Sequence, residues 1–137
     1  MPIYGNKEHS KRLGWLTKNA AREVARQLYK IGQEIELDAE RSITEGSVSG
    51  KNHVPSNPGE PPNADTRHLD SNIETELVDF YKPRVTVTSK AEYSSALEFG
   101  TEKMAARPFM RPALERHKAD IAKSVKNGIN AAIRKSK

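Results

Sequence analysis

The 137-residue sequence contains no cysteine, few aromatic residues and no long apolar run. Without cysteine, neither a disulfide framework nor a thiolate metal site or nucleophile can form. No run of about 18 apolar residues exists and the N-terminus has no apolar block, so we expect no membrane span and no export through a signal peptide. Aromatic residues make up 6% and apolar residues 35%, which predicts a thin core in a single domain over residues 1–137.

Charged residues are abundant and unevenly distributed. Residues 1–100 carry 13 Lys and Arg against 15 Asp and Glu, whereas residues 101–137 carry 10 against 3. The net charge of +5 therefore comes from the C-terminal part. Such a patch attracts phosphates or an acidic protein surface, but it does not specify a fold.

A long amphipathic helix is predicted from about Leu16 to Ile43, after an N-terminal extension over residues 1–14. Its apolar residues recur at helical spacing, at Ala20, Val24, Leu28, Ile31 and Ile35. Almost opposite them lies a basic stripe, defined by Lys18, Arg22, Arg26 and Lys30. This stripe is either a solvated back face or a surface that contacts an acidic partner or DNA.

Residues 44–72 hold four of the eight prolines and show no periodicity, so they predict a long extended loop. Loops of this length are usually binding loops or disordered segments. We expect it to be mobile in isolation and to order when it docks on a partner. The candidate docking residues are Lys51, His53, Pro58, Gly59, Pro61 and Pro62.

Three strands are predicted after the loop. Ile73–Phe80 and Arg84–Ser89 alternate in polarity, with a turn at residues 81–83, and Tyr93–Phe99 is the predicted third strand. A final helix of about 25 residues follows, because Leu114, Ile121, Val125, Ile129 and Ala132 keep helical spacing. The predicted fold is α+β, with both helices on one face of an antiparallel sheet of three to four strands.

The final helix contains two further features. Gly128 costs about 1 kcal/mol relative to alanine inside a helix, which indicates close packing there or fraying beyond it. Basic residues on its polar face, together with two in the preceding connector, are candidate contacts to a partner or to DNA in a lumen: Arg107, Arg111, Arg116, Lys123 and Arg134.

The sequence contains no convincing set of catalytic, metal-binding or phosphate-binding residues. His9, His53, His68 and His117 show no metal-ligand spacing, and no phosphate-binding glycine motif or serine-hydrolase elbow is present. We therefore expect no catalytic residue, no metal and no cofactor. A small basic DNA-binding protein and an enzyme such as a nuclease or peptidase remain as alternatives.

The stretch around residues 98–112 predicts a sharp corner between the sheet and the last helix. Gly100 can take the positive φ that turns the chain after the strand, and Thr101 follows it. Pro108 and Pro112 bracket the start of the helix, where proline is tolerated. Phe109 between them anchors the helix by apolar burial.

The segment "YSSALEFGTEKMAARPFMRPALE" closely resembles the signature of the gene-product-ten-like family of tailed phages, which includes the minor tail protein Z group. "SGKNHVPSNPGEPPNADTRHLDSNI" resembles the family's Pro-Gly-x-Pro-Pro loop. The resemblance covers about residues 15–133 and implies a non-enzymatic structural virion protein for head-tail joining or tail completion. It implies an oligomeric ring in the neck, six-fold on the tail side or twelve-fold on the head side, that assembles in the host cytoplasm. The expected neighbours are connector, head-closure, tail-terminator or tail-tube proteins.

Overall fold

The computed structural model describes residues 6–45, 54–62 and 69–136. The elements in order are helix α1 (Asn6–Thr44), a 3-10 turn (Asp70–Asn72), strands β1 (Ile73–Asp79) and β2 (Arg84–Ser89), and helices α2 (Ser94–Phe99) and α3 (Met110–Lys135). This is an α+β fold with long N- and C-terminal helices, as the sequence predicts.

Helix α1 is the central element, and at 39 residues it is about 58 Å long. It begins ten residues before the predicted start. Lys7, Glu8, Lys11 and Arg12 are strong helix formers, so the N-terminal extension is helical from Asn6 onward without an extended apolar face. Further along, α1 buries one face, formed by Ala25, Ile31, Ile35, Ala39 and Ile43.

The sheet consists of β1 and β2 alone within the described residues, paired antiparallel from Ile73↔Ser89 to Leu77↔Val85. The bounds of β2 match the prediction, and β1 ends one residue earlier than predicted. Asp79 closes the turn, because its Oδ1 accepts hydrogen bonds from the backbone N–H groups of Tyr81 and Lys82.

Gly32 allows α1 to approach the sheet closely. A Cβ on Gly32 would lie 2.7 Å from Thr75 Cγ2 and 2.9 Å from Val85 Cγ1. Any other residue would therefore force the sheet or its side chains away from α1.

The predicted third strand at Tyr93–Phe99 is wrong, because residues 94–99 form the short helix α2. The segment Ser-Ser-Ala-Leu-Glu-Phe has no β-branched residue, and its Ala, Leu and Glu favour helix. Backbone bonds from Leu97 N–H to the Tyr93 carbonyl and from Gly100 N–H to the Ala96 carbonyl close its turns.

Helix α3 packs antiparallel along α1. Arg116 near its start bonds Asp38 at 2.8 Å, and Lys135 at its end bonds Glu23 at 2.6 Å. Between them, a Cβ on Gly128 would lie 3.1 Å from backbone atoms of Glu23 and Val24. Gly128 therefore marks close packing of the two helices, and α3 continues past it without fraying.

The core lies where α1 meets the sheet and the start of α3. Phe109 and Ile43 are its largest fully buried side chains. Leu69, Ile73, Ala91 and Ala113 complete it with the apolar face of α1. It is thin, as the composition predicts. No helix among the described residues is long and apolar enough to cross a membrane.

The ion pair between Glu23 and Lys135 predicts a pH effect on stability. The hydrogen bond from Lys135 lowers the pKa of the buried Glu23 carboxyl below its ordinary value of 4.5, although burial opposes this. Because the folded-state pKa is lowered, the stabilisation is complete above about pH 4.5 and is lost as the pH falls through the folded-state pKa. Lys135→Met should cost about 1–2 kcal/mol at pH 7 and flatten the loss of stability below pH 4.5.

Denaturant unfolding at several pH values measures both quantities. Lys118→Met is the matched control, because it removes the same charge from α3 at an exposed pair with Glu115. Asp38, whose pKa is also lowered, first by its hydrogen bond from Arg116, contributes equally in both variants. Identical pH profiles for the two variants would contradict the assignment.

Candidate functional site

The corner between α2 and α3 is organised by a single carboxylate, that of Glu98. Its Oε2 accepts hydrogen bonds from the backbone N–H groups of Phe109 at 2.9 Å and Met110 at 3.0 Å, and its Oε1 accepts one from Arg111 at 2.8 Å. A carboxylate at this end of α3 also interacts favourably with the positive end of the helix dipole. Glu98 therefore caps α3 from a different helix.

This cap satisfies all the unpaired donors at the start of α3. The first four N–H groups of a helix have no intrahelical acceptor, and here they belong to residues 109–112. Glu98 accepts from three of them, and Pro112 has no N–H to satisfy. Phe109 occupies the N-cap position but makes no side-chain cap of its own. Sequence reasoning missed Glu98, although a helix start without a local cap residue was the signal.

Gly100 and Thr101 form the turn that directs the chain from α2 to this cap. Gly100 has φ of 77°, and a Cβ there would lie 2.9 Å from the backbone nitrogen of Ala106. Thr101 and Met104 exchange backbone hydrogen bonds in the following loop. The predicted structural role of Gly100 is thus explained by both its positive φ and the close approach of Ala106.

The proline-rich segment meets the same corner. The N–H of Gly59, at φ of 86°, donates to the Ala106 carbonyl at 2.9 Å. Pro62 is buried, Pro61 is half-buried and Pro58 is exposed. Residues 54–62 of the predicted loop therefore contact the connector between α2 and α3. The ends of the predicted loop are not extended, because Thr44 belongs to α1 and Asp70–Asn72 form the 3-10 turn. Lys51 and His53 lie outside the described residues.

The basic stripe on α1 is exposed along its length, as its four residues predict: Lys18, Arg22, Arg26 and Lys30. Two of them have partners among the described residues. The Arg22 guanidinium lies 5.8 Å from the centre of the Phe80 ring, and Arg26 lies 3.6 Å from Glu23. Surface pairs of this kind contribute little energy, so the stripe stays available to an acidic partner.

The other predicted basic residues occupy different environments. Arg116 bonds Asp38, so its charge is largely compensated within the subunit. Arg107 is half-buried, and its backbone N–H donates to the Leu97 carbonyl at 2.6 Å. Arg111 is exposed beside the Glu98 cap, and Lys123 and Arg134 are exposed on α3. Arg116, Lys123 and Arg134 fall on one face of α3, at i, i+7 and i+18 spacing, whereas Arg111 lies about 140° away around the helix and Arg107 precedes it.

Charge is segregated along the pair of long helices. Residues 7–30 and 121–136, which lie together where α3 ends on α1, carry eleven Lys and Arg against two Asp and Glu. The other described residues carry nine Lys and Arg against fifteen Asp and Glu. One end of the molecule is strongly basic and the remainder is acidic, a pattern that the division at residue 100 only partly indicated.

An apolar groove opens between the sheet and α3, with α1 as its floor and a volume of about 410 Å³. Arg111 is the single charged residue among those that line it: Leu28, Ile31, Gly32, Ile35, Val85, Val87, Met110, Arg111, Leu114 and Ile121. Leu114 on its α3 wall is 43% exposed. The groove is large enough for several side chains of another helix, and we call it the α1–β2–α3 groove.

The described residues contain no group of three or more His, Asp or Glu side chains placed to hold a metal ion. The comparison with known families is informative instead. Residues 7–100 match the model of the HK97-gp10-like family, described as "Bacteriophage HK97-gp10, putative tail-component". The chain belongs to this family. No curated protein and no solved structure matches it.

The HK97-gp10-like match confirms the family suggested by the two motifs. It covers α1, the loop, the sheet and α2, and it ends at Gly100, so that Glu98 lies inside the matched region and the helix it caps lies outside. Family membership supports a structural component of a bacteriophage tail that contacts other phage structural proteins.

Proposed function

We propose that the protein is a ring-forming head-tail joining or tail-completion component of the phage neck, which connects the head connector to the tail tube. Family membership supports the tail assignment. The main observation in support of a ring is the amount of exposed apolar surface. Thirteen large apolar side chains among the described residues are exposed, from Leu13 to Ile133, whereas Phe109 and Ile43 are the largest that are fully buried.

Exposed apolar side chains on this scale favour contacts with neighbouring subunits. Contiguous exposed apolar patches mark interaction surfaces, and the hairpin tip places two exposed aromatic rings 6.2 Å apart, with Phe80 at 41% and Tyr81 at 76% exposure. Closed rings bury such surface through heterologous interfaces. A hexamer is the expected state on the tail side. The role is structural and non-enzymatic, within the virion after assembly in the host cytoplasm.

Electron microscopy of the purified protein, alone and mixed with tail tubes or DNA-filled heads, tests the proposal. We expect rings in solution or at the ends of tails or heads, and the particle they bind identifies tail-terminator, tail-completion or head-closure roles. Sedimentation measures the number of subunits. Protein that stays monomeric and binds neither particle would contradict the proposal.

The segregated positive charge favours a second candidate, a small DNA-binding protein. That candidate predicts tight binding by the isolated monomer with a steep dependence on salt. A neck component, whose basic stripe faces a lumen only after the ring has formed, should bind DNA weakly as a monomer. The same preparation, titrated with DNA at two salt concentrations, separates the two functions.

A further inference from the structure

The first turns of α1 have no packing partner within the described chain. Every residue from Lys7 to Trp15 is exposed, and Leu13 is 49% exposed. Helix α3 ends beside Glu23, so α1 extends past it by several turns. Isolated helices of this length are marginal in water. This segment, residues 7–18, is called the arm, and contact with another molecule would stabilise it.

The arm carries the sequence pattern of a helix that docks in a groove. Leu13, Leu16 and Ala20 follow i, i+3, i+7 spacing, which is the anchor pattern of this binding mode. They continue the line of Val24, against which α3 packs at Gly128. Leu13 on the arm therefore lies exposed on the same apolar face that α3 covers further along α1, whereas Leu16 and Ala20 on this face are already half-buried.

The charge of the arm favours one surface as its docking site. The arm carries Lys7, Lys11, Arg12 and Lys18 against Glu8, so two arms repel one another. The α1–β2–α3 groove is apolar inside, and eight of its ten lining residues belong to the net acidic ranges; Leu28 and Ile121 belong to the basic ones, and Arg111 is its one charged lining residue. Opposite charges orient an encounter, and apolar burial then supplies affinity. The arm cannot reach the groove of its own subunit, because Leu28 in the groove floor lies on the same continuous helix, about 18 Å from Leu16.

We propose that the arm of each subunit docks in the α1–β2–α3 groove of the next copy and buries Leu13 and Leu16 there. This inference rests on the proposed ring. Arm and groove are different surfaces, so the contact is heterologous and repeats from subunit to subunit until the ring closes. The arm thereby gains the helix-packing partner that its own subunit lacks.

Leu13→Glu tests the arm in the full-length protein. Leu13 is exposed in the monomer, so the fold is retained while a charge is placed at the docked face. We expect the concentration for half-assembly, measured by sedimentation, to rise at least tenfold. Gly14→Glu is the matched control: it adds the same charge one residue along, about 100° away around the helix, where a Cβ meets nothing within 4 Å. It should assemble as the natural sequence does.

Leu114→Glu tests the groove, and Ala119→Glu adds the same charge to an exposed position of α3. Circular dichroism establishes that each variant is folded, and Leu114→Gln replaces Leu114→Glu if the latter is not. We expect Leu114→Glu to lose rings and Ala119→Glu to keep them.

Mixing the two defective variants gives the decisive result. Leu13→Glu retains an intact groove and Leu114→Glu retains an intact arm, so together they should form a 1:1 dimer that grows no further. If that dimer is absent, or if Leu13→Glu forms rings, the inference is overturned. The proposed neck function still holds in that case, provided that the natural sequence forms rings. Loss of particle attachment with rings retained in Leu114→Glu would assign the groove to another phage protein and also overturn it. A natural sequence that stays monomeric would overturn the ring and this contact together.

Discussion

Replacing Glu98 by alanine is expected to lower the free energy of unfolding by about 2–4 kcal/mol. Hydrogen bonds to a charged group each contribute about 1.5–3 kcal/mol when their donors are desolvated. Of the three donors, those of Phe109 and Met110 are part-buried and that of Arg111 is exposed. Water therefore replaces some of the lost interaction, which keeps the total below the sum of three full bonds.

Denaturant unfolding measures the change, and hydrogen exchange localises it. The amides of Phe109, Met110 and Arg111 should exchange faster in Glu98→Ala, because they lose their acceptor. Glu102→Ala is the matched control, since Glu102 is exposed in the same connector and such substitutions usually change stability by less than about 0.5 kcal/mol. A Glu98→Ala protein as stable as Glu102→Ala would show that the cap contributes nothing to the fold.

The Glu98 cap also explains why part of the corner could not be predicted. Local patterns predicted β2 at its observed bounds, because alternating valine and threonine needs no distant contact to favour a strand. The segment at Tyr93–Phe99 was predicted as a strand, although its Ala, Leu and Glu favour helix locally. The tertiary contact is what local pattern does not show, because the chain turns at Gly100 and directs Glu98 at residues 109–111. Sequence spacing does not show that a carboxylate eleven residues upstream reaches a helix start.

The interaction surfaces could be predicted only in part, for a similar reason. The exposure of the basic stripe on α1 follows from helical periodicity alone, and its four residues are exposed as expected. The groove is assembled from α1, β2 and α3, so its residues come from three separate segments between positions 28 and 121 and no local pattern marks them. The arm was assigned to an extension because its first residues carry no apolar repeat, although their helix propensity was readable.

A thin core and segregated charge follow from one physical requirement if the subunit assembles. A subunit in a ring needs less internal apolar area, because part of its apolar surface is buried by neighbours. Opposite charges at separate surfaces disfavour self-matching contacts and favour contacts between unlike surfaces. The same features in a protein that works alone would leave Leu13, Leu114 and Ile129 exposed to water without compensation.

Gly128→Val is expected to destabilise the protein by about 1–3 kcal/mol, the usual cost of overpacking. A Cβ on Gly128 would lie 3.1 Å from backbone atoms of Glu23 and Val24, and backbone cannot rotate aside as a side chain does. Helix α3 must then move away from α1, which also lengthens the Glu23–Lys135 pair. Gly14→Val is the matched control in an open helical position, where valine should be neutral or slightly stabilising. Equal free energies of unfolding in urea for the two variants would contradict close packing at Gly128. A loss of stability confined to Gly128→Val means that this glycine sets the distance between the two long helices.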